Sequence, residues 1–219
     1  MADRIDPAVL SSLRSAVERL YAEQTATLQF HGWPHIEFVR AKAVQFARER
    51  GADVSVVEAA ALLHDVNYLI EPNSEPTAGS SLRASLLAES GVAKGVASDI
   101  ENIIVLSDTA VRGPDLSIEA TALSDADSLF KSLPTTALLL STSYLAETGA
   151  ALSDLYQEII SEQLPLLESG IYFYDDTVAE RYAEWAEVGI RIWQLAGDSF
   201  KDRDVSNLLR RLGFPQESD

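Results

Sequence analysis

Apolar residues recur at helical spacing along almost the whole chain, and stretches of strict alternation rich in β-branched residues are nearly absent. This pattern predicts an all-α fold. A first helix is expected from Asp6-Pro7, a cap followed by proline in the first turn, to about Glu23, with Leu10, Leu13, Val17 and Leu20 on one face. A second opens at Trp33-Pro34, carries Ile36, Val39, Ala43 and Phe46, and stops at Gly51. A third opens near Ser55 and is apolar all round through Val56, Val57, Ala59, Ala60, Ala61, Leu62 and Leu63, which predicts a central buried helix ending at His64-Asp65. The segment Glu71 to Gly79, with two prolines, reads as a loop.

Further helices are expected at about 80–90, 93–107, 117–131, 133–148, 151–167, 177–196 and 203–211. For the helix at 177–196, Thr177 and Glu180 have capping-box spacing and Gly197 follows the last turn. Its apolar anchors are expected to be Tyr182, Trp185, Ile192 and Trp193, with Gly189 on the same side allowing a neighbour to approach closely. No repeat, low-complexity segment or composition shift marks a linker, so 1–219 reads as a single helical domain. The helices after about residue 150 read as an addition to it, suited to a homodimer face or a lid.

Composition narrows the function classes. The 219 residues are 47% hydrophobic and 23% charged, ordinary for a globular chain. With 17 basic and 34 acidic residues the net charge is −17, which argues against nucleic acids and anionic membranes as partners. No stretch approaches the roughly 20 apolar residues of a bilayer crossing, and the N-terminus lacks the pattern of a signal peptide, so a soluble, cytoplasmic protein is expected. The absence of cysteine excludes disulfides, thiolate metal sites and a cysteine nucleophile. Any metal ion must be held by His, Asp, Glu or backbone oxygen, and the three histidines are His31, His35 and His64.

The adjacent His64-Asp65 pair at the end of a buried helix is the informative feature. Burying either group costs free energy unless it is paired, and a divalent cation satisfies imidazole nitrogen and carboxylate oxygen together. A solvated helix end is the alternative. His35 lies upstream in His31-Gly-Trp-Pro-His35, and Ser124-Asp125-Ala126-Asp127-Ser128-Leu129 lies downstream on another helix.

In this combination the chain resembles the HD-domain superfamily of metal-dependent phosphohydrolases. The likeness rests on a His near the start of one helix, a His-Asp pair ending a later one, and an Asp in an Ala-Asp-x-Leu setting, and it covers about residues 30–135. The resemblance implies an HD-like helical bundle in which His35, His64, Asp65 and Asp127 ligate one divalent ion, with His64 and Asp65 at the catalytic centre. Two neutral imidazoles and two carboxylates carry a charge of about −2, matched to one such ion. The ion would acidify a water and polarise a phosphoryl oxygen, and Asp65 or a nearby acid would accept a proton. The implied reaction is hydrolysis of a small phosphoester, a nucleotide or other phosphorylated metabolite. Mn, Ni, Co, Zn, Fe and Mg are not separated by sequence, although two imidazoles argue against a site dedicated to Mg.

His31 stands before the proline that opens the helix and is expected to support the site without ligating it. Asp125 projects about 200° from Asp127 on a helix and is expected to cap, pair with a base or orient a neighbour. Two departures from the family pattern stand out. Ser107 occupies a position where many members have His, and Phe38 one where Arg is frequent. With no further histidine, a diiron oxygenase is not expected. Candidate substrate-binding residues are Arg112, in the loop after Ser107, Arg83, near a helix N-terminus, and Trp33 beside the first motif; Arg40, Lys131 and Tyr68 are also close in sequence. The scarcity of basic residues also suits a hydratase or lyase on a non-phosphate substrate, and the departures suit a metal-binding regulatory module without turnover.

Overall fold

The computed structural model describes residues 4–24, 27–72, 74–110 and 113–214. The fold is all-α, and no strand occurs among the described residues. The chain divides into two compact units, Met1–Phe130 and Lys131–Asp219. The division falls inside a continuous helix, which is why no linker composition announces it.

The first unit is organised around α3 (Val54–Leu63), which packs against α1 (Pro7–Glu23), α2 (Trp33–Arg50) and α5 (Lys94–Ser107). From Val56 to Leu63 every residue of α3 except Glu58 is essentially inaccessible to solvent. A helix apolar on all sides is stable in water only when neighbours cover all of them, and here three helices do so. α3 starts where Asp53 Oδ1 accepts hydrogen bonds from the backbone N–H groups of Ser55 (3.1 Å) and Val56 (3.2 Å) and from the Ser55 hydroxyl (2.7 Å). The Ser55 oxygen in turn accepts from the N–H groups of Arg4 and Ile5, fastening the N-terminal segment to the base of α3.

α1 and α2 start as expected, with Asp6 capping the N–H of Ala8 and Pro34 in the first turn of α2. Gly51 ends α2 at φ 73°, a left-handed conformation open to glycine at little cost. An ion network ties the outer faces of these helices: Arg40 reaches Glu37 and Glu58, and Arg14 reaches Glu37. After α3 the chain makes two 3-10 turns, Val66–Leu69 and Pro76–Gly79, before α4 (Ser80–Glu89), which packs on α1 and α5. α6 (Ile118–Ser132) carries the last motif, and Ala120, Ala122, Leu123, Ala126, Leu129 and Phe130 are buried along it.

In the second unit a π-helical segment, Thr136–Leu140, leads into α7 (Ser141–Thr148), and α8 (Leu152–Glu168) packs along α9 (Asp176–Phe200), with α10 (Arg203–Arg211) against α9. α9 differs from expectation at both ends. Asp175, not Thr177, is the cap, accepting from the N–H groups of Thr177 and Val178, because a carboxylate two residues earlier already satisfies those donors. Gly197 lies within the helix and is buried against the Tyr156 ring of α8, so it serves close helix packing and does not end the helix. No atom would meet a side chain at Gly189, so the close approach expected there occurs at Gly197. The buried stripe runs through Val178, Ala186, Ile190 and Trp193, while Trp185 is 36% exposed and Tyr182 and Ile192 are half-buried. No helix among the described residues is long and apolar enough to cross a membrane.

The cap of α3 gives a direct test. Asp53→Ala should lower stability by about 1–2 kcal/mol in urea denaturation, and Asp53→Asn, which keeps an acceptor, by less.

Candidate metal centre

His35 sits in the first turn of α2, whose entry is fixed by Gly32 and Pro34. His64 caps the C-terminus of α3, and Asp65 follows it at the start of the first 3-10 turn. Asp127 lies midway along α6. Three helices and one turn from distant parts of the sequence therefore deliver four side chains to one place.

Their ligand atoms converge. His35 Nε2 and His64 Nε2 are 3.1 Å apart, Asp65 Oδ2 is 2.9 Å from the first and 3.3 Å from the second, and Asp127 Oδ1 is 3.9 Å from His35 Nε2. The ligand atoms of His35, His64 and Asp127 all lie within 4.8 Å of one another. Neighbouring ligands of an octahedral ion bound at about 2.1 Å stand about 3 Å apart, so the spacing fits a single first-row divalent ion. The donor chemistry fits as well. His64 Nδ1 donates to the carbonyl of Ala61 at 2.8 Å, which places a proton on that nitrogen and turns Nε2 toward the cluster, as a lone pair when the ring is neutral.

His35 is held differently, since its buried Nδ1 has no hydrogen-bond partner. Ring packing orients it instead: Phe130 stands edge-on at 4.4 Å between centroids, with His31 at 5.9 Å and Phe30 at 6.3 Å.

The electrostatics describe a site that seeks positive charge. Burial pushes the His35 imidazole down from its ordinary value, against the opposing pull of Asp65. Burial acts on His64 in the same sense, but the charge and hydrogen bond of Asp65, with Asp127 and the Ala61 carbonyl, outweigh it and raise its affinity for a proton. Burial alone would raise the Asp65 carboxyl; the His64 charge and hydrogen bonds from both imidazoles hold it well below the usual carboxylate range. A proton or a metal cation answers the same demand.

His31 is buried beside His35. Its ring lies flat on Tyr68, with centroids 3.7 Å apart and planes 7° apart, and its edge meets His35. Asp125 faces away from Asp127 and pairs with Arg50 of α2 at 2.5 Å, with Asp125 wholly buried. Ser107 closes α5, donating from its hydroxyl to the Ile104 carbonyl, while its own carbonyl accepts from Ser124 of α6. Phe38 packs on Phe130 at 5.6 Å and so adds to the aromatic backing of His35.

One substrate-binding expectation needs correction. Arg83 has no exposed surface, and its guanidinium is committed to Glu101 of α5, leaving it unable to meet an incoming anion. Trp33 is half-buried, with its ring centroid 6.3 Å from that of Tyr21 of α1. Arg112 lies outside the described residues. Phe30 and Phe130, the rings beside His35, were not singled out from sequence, although Phe130 follows Asp127 by three residues and so shares its side of α6.

No family model matches the chain, and no curated relative matches it. Solved structures do resemble it. A Lactobacillus plantarum protein studied by structural genomics aligns with a TM-score of 0.70 at 20% identity, over 90% of this chain and 100% of its own. Bacillus subtilis YpgQ in complex with ADP aligns at 0.61 and 23% identity, over 90% of this chain and 96% of its own. A further structure of YpgQ aligns at 0.57 and 25% identity, over 85% and 97%. These likenesses establish the fold. At such identities the chemistry rests on this chain's own residues.

The ion pair behind the cluster is testable. Arg50→Met should destabilise the protein by roughly 3–5 kcal/mol in urea denaturation, because it removes the cation facing a buried carboxylate, whereas Arg50→Met with Asp125→Leu should recover most of the loss.

Proposed function

We propose that the protein is a cytoplasmic, mononuclear metal-dependent phosphohydrolase of HD type, acting on a small phosphoester such as a nucleotide. The observation that carries this reading is the convergence of His35, His64 and Asp127, with Asp65 beside the two imidazoles, from three separate motifs on a volume suited to one ion. The resemblance of these motifs to the HD superfamily supports it. YpgQ, of similar fold, has been crystallised with ADP, a phosphate-bearing small molecule, which supports the substrate class. The net charge of −17 disfavours a polymeric nucleic acid.

In this reading His35, His64 and Asp127 hold the ion through Nε2, Nε2 and Oδ1, and Asp65 completes the set. A bound divalent ion supplies Lewis acidity, lowering the pKa of water and offsetting charge that develops on a phosphoryl oxygen. Asp65, whose Oδ2 lies 2.9 Å from His35 Nε2 and 3.3 Å from His64 Nε2, or a nearby acid would accept a proton. Ala61 fixes the His64 tautomer, and the rings of Phe30, His31 and Phe130 hold His35 in its orientation.

A second reading, a hydratase or lyase on a non-phosphate molecule, is favoured by one observation. Arg83, a cation close to the motifs in sequence, is taken up by Glu101, while the groups packed about His35 are aromatic.

Metal content measured by plasma mass spectrometry on protein prepared without nickel affinity or chelator should give about one divalent ion per chain. His64→Ala and Asp65→Ala should lose it while remaining folded. Loaded with that ion, the protein should release phosphate from nucleoside phosphates, and each variant should reduce the rate at least about a hundredfold. Metal binding without phosphate release from any ester would favour the second reading. No metal after incubation with excess Mn²⁺ or Zn²⁺ would sink both and leave a binding module.

A further inference from the structure

Arg83 of α4 is the largest side chain of the first unit that is wholly withdrawn from solvent. Its Nε and Nη2 donate to the two oxygens of Glu101, each at 2.6 Å, and Nη2 also donates to the Pro76 carbonyl at 2.8 Å. Ser80 adds a third contact to Glu101, from its hydroxyl at 2.6 Å. Burying a guanidinium is costly unless a carboxylate is buried with it in good geometry. A helix that needed only to cover the core would place a neutral residue here.

The fork has a further consequence for the turns after α3. Arg83 Nη1 makes no hydrogen bond and lies against Gly79, where a side-chain Cβ would stand 2.5 Å from Nη1 and 3.0 Å from the backbone nitrogen of Asn67. Gly79 has φ −81°, which any residue adopts, so glycine is required there by close approach and not by backbone conformation. Asn67 is buried and closes the loop upon itself: its Nδ2 donates to the Ser74 carbonyl at 2.7 Å, and the Ser74 hydroxyl donates to the Asn67 carbonyl at 3.1 Å. Asn67 is two residues after Asp65, and the Asp65 carbonyl accepts from the N–H of Tyr68, the residue whose ring carries His31. A continuous chain of contacts thus runs from Glu101 on α5 through Arg83 and Gly79 to the turn that begins with Asp65.

The geometry points to Arg83 as a positioning residue that, braced by Glu101, clamps the turns at 65–69 and 76–79 and so holds the Asp65 carboxylate at the His35–His64 cluster. This assignment rests on the reading that the cluster holds a divalent ion. Lysine cannot replace arginine in this role, because one ammonium does not present the planar fork that spans both Glu101 oxygens and the Pro76 carbonyl.

The test measures Mn²⁺ affinity by titration calorimetry and amide hydrogen exchange of segment 65–72 in Arg83→Lys and Glu101→Gln, with folding checked by circular dichroism. Asp53→Ala, which weakens the opposite end of α3, is the control for lost stability. The Mn²⁺ Kd should rise about 10–100-fold in both clamp variants, with faster exchange in the segment, and stay within about twofold of wild type in the control. Should Arg83→Lys fail to fold, Gly79→Ala, which places a methyl between Arg83 and Asn67, provides the same readouts. Folded clamp variants with a Kd within about twofold of wild type would overturn the assignment. If wild type itself binds no Mn²⁺, the metal reading fails, and exchange alone decides the clamp: faster exchange in the variants supports it and unchanged exchange overturns it.

Discussion

Two imidazole nitrogens 3.1 Å apart, with a carboxylate oxygen about as close to each and a second carboxylate beside them, form an arrangement that favours positive charge among them. Much of the first unit serves to maintain it. His64 and Asp65 reach the cluster because α3 is buried on every side and cannot rotate or slide without exposing apolar surface. His35 reaches it because Gly32 and Pro34 begin α2 at that point. Asp127 reaches it because the rest of α6 is fastened, by Asp125 to Arg50 and by Ala122, Leu123, Ala126 and Leu129 to the core.

The surrounding chemistry divides into rigid and adaptable parts. On the His64 side the support is directional, a hydrogen bond to the Ala61 carbonyl that belongs to the helix itself. On the His35 side it is packing, from Phe30, His31 and Phe130, with Phe38 behind Phe130. Rings fix an orientation without consuming a proton, so the His35 tautomer is free to follow whatever the cluster binds. The chain has no cysteine and three histidines, of which His35 and His64 bring their Nε2 atoms together.

The two positions that depart from the HD-like pattern the chain resembles have structural roles. Ser107 links the end of α5 to α6 through backbone and hydroxyl contacts, and Phe38 joins an aromatic cluster. Neither position contributes charge. Among the described residues, Arg50 is paired with Asp125, Arg40 with Glu37 and Glu58, and Arg83 with Glu101.

Local order was legible in the sequence because it depends on neighbours along the chain. The 3.6-residue period, the Asp6-Pro7 and Trp33-Pro34 entries, Gly51 and the unbroken apolar run of α3 placed these helices nearly where they stand, since caps and amphipathic faces act over one or two turns. The motif residues His35, His64, Asp65 and Asp127 could be picked out because few residues of those types are available and their settings resemble the HD pattern. At α9 the same local rules led to the wrong cap and a misplaced terminus, because Gly197 answers to Tyr156, some forty residues away, and not to its own helix. The fate of the charged side chains was also out of reach of sequence. Arg83 near a helix N-terminus reads as a candidate anion site until Glu101 is found opposite it, and Asp125, expected to cap, pair with a base or orient a neighbour, is seen to choose Arg50 only in the fold. Sequence determined the helices and the inventory of ligands; the tertiary structure decided which charges were consumed as partners and which were left facing one another, because electrostatic pairing depends on distance through space and not along the chain.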